Sequence, residues 1–249
     1  MSKNNDVKNF YEIIPKDMLD NNPNPNYGKT HKFKTPHRSL IIGASGGGKT
    51  NWVCNYLERM CSGKGTFATI LYLCKDKTEP LLKFLTHLSD QIQVKEGLSH
   101  LPKLEDIDKS VNHLIIIDDL VLTKDQSRIE TYYMMCRKKN VSIMYISQSY
   151  YRTPKFIRIN ANELILLKVS GEKDLRMILS EGAMGLDKDQ LTAMYNDITK
   201  EKFCSLIVDM NASPEERYVK NFMEVIDVSK YSKKKKGDEE KEIKDKDKN

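Results

Sequence analysis

The chain has 249 residues, which is enough for one α/β domain with extensions and too few for two domains of usual size. Hydrophobic residues make up 39% of it, so a real core is expected, and the formal net charge is +6. That modest excess favours an anionic partner such as nucleic acid but does not establish one. No apolar run approaches the roughly 20 residues that cross a bilayer, so no membrane span is predicted. The five scattered cysteines show no zinc-ligand spacing, and we expect reduced thiols in an intracellular protein.

The two ends of the chain differ in composition from the middle. Residues 1–30 include an Asn-Pro-rich stretch that disfavours regular structure, and they predict an N-terminal arm. Residues 232–249 are rich in Lys, Asp and Glu with Ile243 as the single apolar residue, and they predict a disordered charged tail. We therefore expect one folded domain over residues 31–231.

Within that domain, short apolar strands alternate with amphipathic helices. The predicted strands are 39–42, 69–73, 114–117, 141–147, 164–169 and 205–208. The predicted helices are 50–60, 79–88, 126–139, 173–179 and 188–198. All-apolar strands separated by helices are typical of an α/β domain whose mainly parallel central sheet is covered by helices on both faces.

A glycine-rich turn follows the first strand and matches the pattern Gly-x-x-x-x-Gly-Lys-Thr of a P-loop. Glycines let backbone N–H groups turn towards phosphates, Lys49 can reach the β- and γ-phosphates, and the Thr50 hydroxyl can bind Mg²⁺. The helix that begins there adds the positive end of its dipole. The motif predicts a P-loop NTPase that binds ATP and Mg²⁺ through Gly43, Ala44, Ser45, Gly46, Gly47, Gly48, Lys49 and Thr50.

The strand at 114–117 ends in two carboxylates, Asp118 and Asp119. This is the pattern of a Walker B strand, in which Asp118 would hold Mg²⁺ or its water shell. Asp119 would then lie beside the γ-phosphate and could orient and deprotonate the attacking water. A polar exit from an ordinary strand is the alternative, and the position one unit after the P-loop favours the catalytic interpretation.

The next strand, 141–147, is followed by Gln148. In hydrolysing P-loop proteins a polar side chain at this place contacts the γ-phosphate or the lytic water, and Gln148 can do so by hydrogen bonding. The alternative is an ordinary strand terminus. Together with Asp119, this residue predicts the additional-strand, motor-type branch of P-loop NTPases.

Over residues 38–209 the sequence resembles the FtsK/HerA superfamily, and within it the genome-packaging ATPases of poxviruses, other large DNA viruses and virophages. The resemblance rests on the P-loop, on Asp118-Asp119, and on the segment from Ile146 through Gln148, Arg152, Pro154 and Arg158 to Asn160. It implies ATP-driven translocation of double-stranded DNA into a preformed capsid, at a viral assembly site in the host cell or in association with the virion. It also implies a homo-oligomeric ring, pentameric or hexameric, that contacts capsid vertex or portal proteins. Many relatives have Glu where this chain has Asp119, and the separate DNA-tracking domain of bacterial relatives is missing.

Ring motors of this kind use an arginine from a neighbouring subunit to neutralise charge on the γ-phosphoryl group. Arg158 matches the Ile-Arg of the family segment and is the first candidate, and Arg152 is the second; a solvated charge is the alternative for either. Candidate DNA contacts are the basic runs at 137–139, 31–34 and 233–236, because phosphate contacts need only positive charge and proximity.

Other P-loop classes fit less well. A small-molecule kinase needs no carboxylate for a lytic water, and a GTPase would show Asn-Lys-x-Asp after a later strand, which this sequence lacks. A DNA helicase or mobilisation-type ATPase of the same superfamily remains an alternative. So does a nucleotide-gated DNA-binding adaptor without turnover.

Overall fold

The computed structural model describes residues 23–120, 126–181 and 186–232. Most of the predicted arm and tail lies outside these residues. The described end of the arm packs on the domain, because Asn26 Nδ2 donates to Ser62 O at 2.9 Å and Thr30 Oγ1 donates to Arg59 O at 3.0 Å.

The described residues form nine strands of one sheet and six α-helices. The strands are β1 Arg38–Ile42, β2 Thr69–Cys74, β3 Ile92–Glu96, β4 His113–Asp118, β5 Val141–Ser147, β6 Glu163–Leu166, β7 Leu206–Asp209, β8 Tyr218–Lys220 and β9 Glu224–Val225. The helices are α1 Lys49–Cys61, α2 Pro80–Leu88, α3 Ser127–Met135, α4 Lys155–Asn160, α5 Glu172–Glu181 and α6 Lys188–Ile198. No helix of the described part is long and apolar enough to cross a membrane.

The strand order is β3-β2-β4-β5-β1-β6-β7-β8-β9. The first six strands in this order, from β3 to β6, are parallel to one another. Strands β7, β8 and β9 each pair antiparallel with the strand before them in the order. The predicted fold class, a mainly parallel sheet flanked by helices, is confirmed. The antiparallel margin was not predicted, because β8 and β9 are only three and two residues long and too short for a periodic signal.

Several predicted element boundaries were wrong. The helix predicted over 126–139 stops at Met135, and a 3₁₀ turn, Cys136–Lys139, then closes on Asn140 in a left-handed conformation (φ 51°). The strand predicted over 164–169 ends at Leu166. Strand β3 was missed because only Ile92 and Val94 alternate with polar residues at the sheet margin, and α4 because it has only six residues.

The core lies on both faces of the central strands. Every residue of β5 is buried, and successive side chains alternate between two hydrophobic clusters, Tyr145 towards α3 and Met144 towards α1. The parallel strands β4, β5 and β1 are therefore sealed on both sides, so polar side chains can reach a cleft only where these strands end.

Candidate active site

The predicted site residues meet at the carboxyl edge of the central strands. Strand β5 lies between β4 and β1, with Asp118 paired in register with Ile146, and Ile42 with Ser147. The residues that follow these ends, which include Asp119, Gln148 and Gly43, therefore emerge side by side. This adjacency is the one required for a nucleoside triphosphate on the P-loop to face the Walker B carboxylates.

The P-loop is a tightly closed turn. Gly47 N donates to Ala44 O at 3.0 Å, and Ala44 N donates to Lys168 O at 2.9 Å, which ties the loop to the end of β6. A side chain on Gly47 would place its Cβ 2.9 Å from Ala44 O, and Gly48 has φ 90°. The sequence needs glycine here so that the chain can wind around an anion at the start of α1.

Lys49 lies inside this loop. Its Nζ donates to Gly43 O and Ala44 O, each at 2.9 Å. Burial lowers the pKa of Lys49, and the negative charges of Asp118, Asp119 and Glu79 oppose that shift. The ammonium is thus held at the mouth of the loop, where phosphate oxygens can replace the two carbonyls as acceptors.

Asp118 is the last residue of β4, and its carboxylate faces the same cleft. Its Oδ2 accepts a hydrogen bond of 2.6 Å from the hydroxyl of Tyr72 on β2. Burial raises the pKa of Asp118 to about 6, and the Tyr72 hydrogen bond and the Lys49 charge only partly counter this shift. A half-buried carboxylate whose charge is only partly compensated is suited to bind a divalent cation.

Asp119 and Gln148 are in direct contact. Gln148 Nε2 donates to Asp119 Oδ2 at 3.0 Å, and Asp119 N donates to Ile146 O at 3.1 Å. Asp119 has φ 53°, a left-handed conformation that Asp tolerates better than most residues, and it turns the side chain away from the strand direction. The two predicted catalytic residues therefore form one unit, with the Gln148 side chain exposed to solvent.

One acidic residue of the site was not predicted. Thr50 Oγ1 donates to Glu79 Oε2 at 3.4 Å, and the charge of Glu79 contributes to the raised pKa of Asp118. Glu79 precedes α2, after the end of β2, and β2 neighbours β4 in the sheet. The polar run after the predicted strand 69–73 was the available signal, since it ends at the same edge.

The two candidate arginines differ in their surroundings. Arg158 is paired within the chain: Nε donates to Glu181 Oε2 at 3.1 Å, the guanidinium lies 5.2 Å from the Tyr150 ring centroid, and only 7% of the side chain is exposed. The Arg152 side chain is exposed. Of the two, Arg152 has the exposed side chain, and Arg158 would have to break its ion pair with Glu181 to leave its position.

The predicted basic runs are only partly surface patches. His31 and Phe33 are buried, and Lys32 forms a salt bridge of 3.2 Å with Glu216, so 31–34 is no continuous basic surface. Arg137 and Lys138 are exposed on the turn before β5, at the end of the sheet opposite to the cleft. The run 233–236 lies outside the described residues.

Comparisons with known proteins place the fold. No family model matches the chain, and neither does any curated protein. The genome-packaging NTPase B204 of Sulfolobus turreted icosahedral virus 2, in complex with AMPPCP, is similar with a TM-score of 0.52 and 17% identity, over 72% of this chain and 95% of that one. The structure of the same NTPase in complex with sulfate has a TM-score of 0.55 and 14% identity, over 78% of this chain and 98% of that one. The cytoplasmic domain of the type VII secretion ATPase EccC from Thermomonospora curvata has a TM-score of 0.50 and 13% identity, over 77% of this chain and 25% of that one.

At sequence identities this low, the structural similarity establishes the fold alone. It agrees with the resemblance that the motifs indicate, because the structure of a viral genome-packaging NTPase spans most of both chains. The chain therefore has the P-loop NTPase fold, in the form that it shares with the packaging NTPase B204.

Proposed function

We propose that this protein is an ATPase that drives double-stranded viral DNA into a preformed capsid. The main support for this proposal is that the P-loop, Asp118 and the Asp119–Gln148 pair lie together at one edge of the sheet. The structural likeness to a packaging NTPase that was solved with AMPPCP and with ATP-γ-S supports it.

The chemistry follows from the positions of the side chains. The P-loop N–H groups and Lys49 bind the triphosphate, with its γ-phosphate towards β4 and β5. Asp119 accepts a proton from the attacking water, and Gln148 fixes Asp119 and orients that water. A positioned general base of this kind accelerates proton transfer by about 10² to 10⁴.

The site also fits Mg²⁺. The Thr50 hydroxyl and the Asp118 carboxylate would hold it, with Glu79 at hydrogen-bonding distance from Thr50. Mg²⁺ commonly takes one or two protein oxygens and completes its coordination with phosphates and water. Bound Mg²⁺ would neutralise charge that develops on the phosphate oxygens.

We further propose that the subunits form a ring and that an arginine completes the site of a neighbour. Arg152 is the better candidate on exposure, and Arg158 the better on sequence pattern. Mixing Lys49→Ala subunits with Arg152→Ala subunits tests this, because a mixed ring contains interfaces with both wild-type residues. Activity above either parent supports Arg152 in trans, and the same mixture with Arg158→Ala decides between the two.

The decisive experiment for the function is phosphate release from ATP with and without duplex DNA. We expect turnover that DNA stimulates, and a loss of about 100-fold or more in Lys49→Ala because the γ-phosphate loses its charge partner. Lys103→Ala, a lysine with 75% of its side chain exposed, is the matched control. If the protein binds ATP but does not hydrolyse it, the nucleotide-gated adaptor is the better interpretation. DNA unwinding without packaging would favour a helicase.

A further inference from the structure

Phe203 stands in an unusual backbone conformation beside the P-loop. It lies in the loop between α6 and β7 with φ 70°, and 47% of the residue is exposed. Bulky side chains rarely adopt positive φ, and this conformation persists only where the surroundings impose it. Lys202 Nζ lies over the ring at 4.9 Å from its centroid, so a further partner can stack only on the opposite face.

The ring rests edge-on against the start of α1. A Cβ built on Gly48 would lie 2.4 Å from Phe203 Cδ1 and 2.9 Å from Cε1, so the ring occupies the space that any other residue at position 48 would need. Gly48 directly precedes Lys49 and caps the helix that receives the phosphates. Phe203 is therefore fixed against the backbone of the phosphate site itself.

The sheet order places Phe203 on the side away from the catalytic carboxylates. Asp118, Asp119 and Gln148 follow β4 and β5, on one side of β1, whereas Phe203 precedes β7, two strands away on the other side. A triphosphate whose γ end faces Asp119 and whose α and β groups lie in the P-loop directs its nucleoside away from that end. The nucleoside then extends towards Phe203.

A recess of about 270 Å³ lies between Phe203 and the first turns of α1. Its lining includes Asn51, Asn55, Arg59 and Lys202, whose side chains offer hydrogen-bond donors and, from the two asparagines, acceptors. Asn221 also lines it, with its Oδ1 already accepting from Ser205 N. A base presents donors and acceptors along its edge and an aromatic face for stacking. A second recess shares Lys202, Phe203 and Cys204 with the first. It is lined also by Gly47, Lys168, Lys200 and Glu201, and its excess of ammonium groups suits phosphate rather than a base edge.

We propose that Phe203 is the stacking platform for the nucleobase of the bound nucleotide, with the base in the recess beside Asn51 and Asn55. This rests on the proposed function only in taking the P-loop as the nucleotide site. The strained backbone holds the ring beside Gly48, so that the base meets an ordered surface. Stacking on an aromatic side chain is worth about tenfold or more in affinity.

The test compares two ligands by calorimetric titration in the presence of Mg²⁺. AMPPCP carries a base, and inorganic tripolyphosphate carries none. We expect Phe203→Ala to weaken AMPPCP about tenfold and to leave tripolyphosphate unchanged, with Phe203→Tyr restoring wild-type affinity. Phe84→Ala, which removes an exposed phenylalanine from α2, is the matched control.

A second variant separates binding from packing. Phe203→Gly also removes the ring, but glycine adopts φ 70° freely, so we expect AMPPCP affinity to fall as in Phe203→Ala while the unfolding temperature stays the same or rises. Equal losses for AMPPCP and tripolyphosphate, no loss for either, or no AMPPCP binding by the wild type would overturn the assignment. Because AMPPCP is not hydrolysed, a wild type that binds it without releasing phosphate from ATP refutes the motor and leaves this result standing.

Discussion

Two carboxyl groups at opposite ends of the same sheet both have a raised pKa, but their surroundings differ. Asp118 ends β4 at the cleft, and Glu163 begins β6 at the other end. Burial raises the pKa of both, that of Asp118 to about 6. The difference lies in what each carboxyl can reach.

Glu163 is enclosed by partners from the chain. Ser39 Oγ donates to Glu163 Oε2 at 2.6 Å, and Ser39 Oγ is 2.8 Å from His37 Nδ1, whose Nε2 lies 2.6 Å from the Tyr56 hydroxyl. Burial lowers the pKa of His37 to about 3, so the imidazole is neutral and its 3.6 Å approach to Glu163 is not an ion pair. Burial also raises the pKa of Glu163 well above its usual value. The four side chains form one chain of hydrogen bonds inside the fold, which stabilises it.

Asp118 is only partly satisfied by its neighbours. Tyr72 and Lys49 counter the burial, yet the pKa remains raised, and the carboxylate opens towards the P-loop rather than into the core. A raised pKa alone does not separate a structural carboxyl from a functional one. The two carboxyls differ in exposure and position: Glu163 is 3% exposed at the far end of the sheet, whereas Asp118 is half-buried and lies close to Lys49 at the cleft.

The largest effect is expected from Asp118→Asn, which should change function and stability in opposite directions. We expect Mg²⁺-dependent ATP hydrolysis to fall by about 100-fold or more, because the metal loses an anionic ligand. The nucleotide-free protein should become more stable at pH 7.5. The pKa of Asp118 in the folded chain lies above its usual 3.8, so the stability it contributes is complete below 3.8 and is lost as pH rises through about 6.

Asparagine avoids that loss, whose upper limit is about 3 kcal/mol. Phosphate release and thermal unfolding check the two halves of this prediction, and Asp90→Asn, at an exposed position, is the control. An unfolding temperature below that of the wild type would mean that the ionised carboxylate stabilises the empty site, and the contrast with Glu163 would be lost.

Glu163 should show the reverse pattern. Glu163→Leu removes the acceptor of the buried Ser39 hydroxyl, so we expect a loss of about 1–3 kcal/mol in the free energy of unfolding. Glu163→Gln keeps a neutral hydrogen-bonding group and should lose much less. Urea unfolding measures both, and phosphate release per folded molecule should stay at the wild-type level. Reduced turnover in a fully folded Glu163→Gln would assign this cluster a part in catalysis.

Nucleotide binding should depend on pH through Asp118 and not through Glu163. Mg²⁺ competes with a proton for Asp118, so Mg²⁺-dependent AMPPCP affinity should decrease as pH falls through about 6. Between pH 7.5 and 5.5 the ionised fraction of such a group drops about fourfold, and the affinity should follow it. Titration calorimetry at both values, with Glu163→Gln beside the wild type, checks this, since that variant should show the same profile. A flat profile would rule out Asp118 as the titrating ligand.

The smallest effect is expected from Tyr72→Phe. The variant removes the 2.6 Å hydrogen bond that stabilises the Asp118 carboxylate, so the pKa of Asp118 should rise further and the pH profile of hydrolysis should shift upward by less than about one unit. The activity should be regained at higher pH, which a packing defect would not allow. A loss that persists at every pH would mean that Tyr72 acts through the shape of the sheet.

Local sequence patterns were enough to predict that the P-loop, Asp118, Asp119 and Gln148 lie at one edge of the sheet. The P-loop and the Asp118-Asp119 strand each combine a motif with a strand and, for the P-loop, a helix, and parallel strands bring their ends together. Glu79 and Phe203 were missed because their positions depend on sheet order: β2 beside β4 brings Glu79 to Thr50, and β7 beyond β6 brings Phe203 to Gly48. That order arises from long-range strand pairing, which no local window contains.

Asp119→Asn should separate ATP binding from ATP hydrolysis. The variant keeps the size of the side chain and its contact with Gln148, and it removes the group that accepts the proton. We predict wild-type affinity for AMPPCP together with phosphate release reduced by about 100-fold or more. Hydrolysis at the wild-type rate would contradict the role of Asp119 as the general base and, with it, the mechanism proposed for this edge of the sheet.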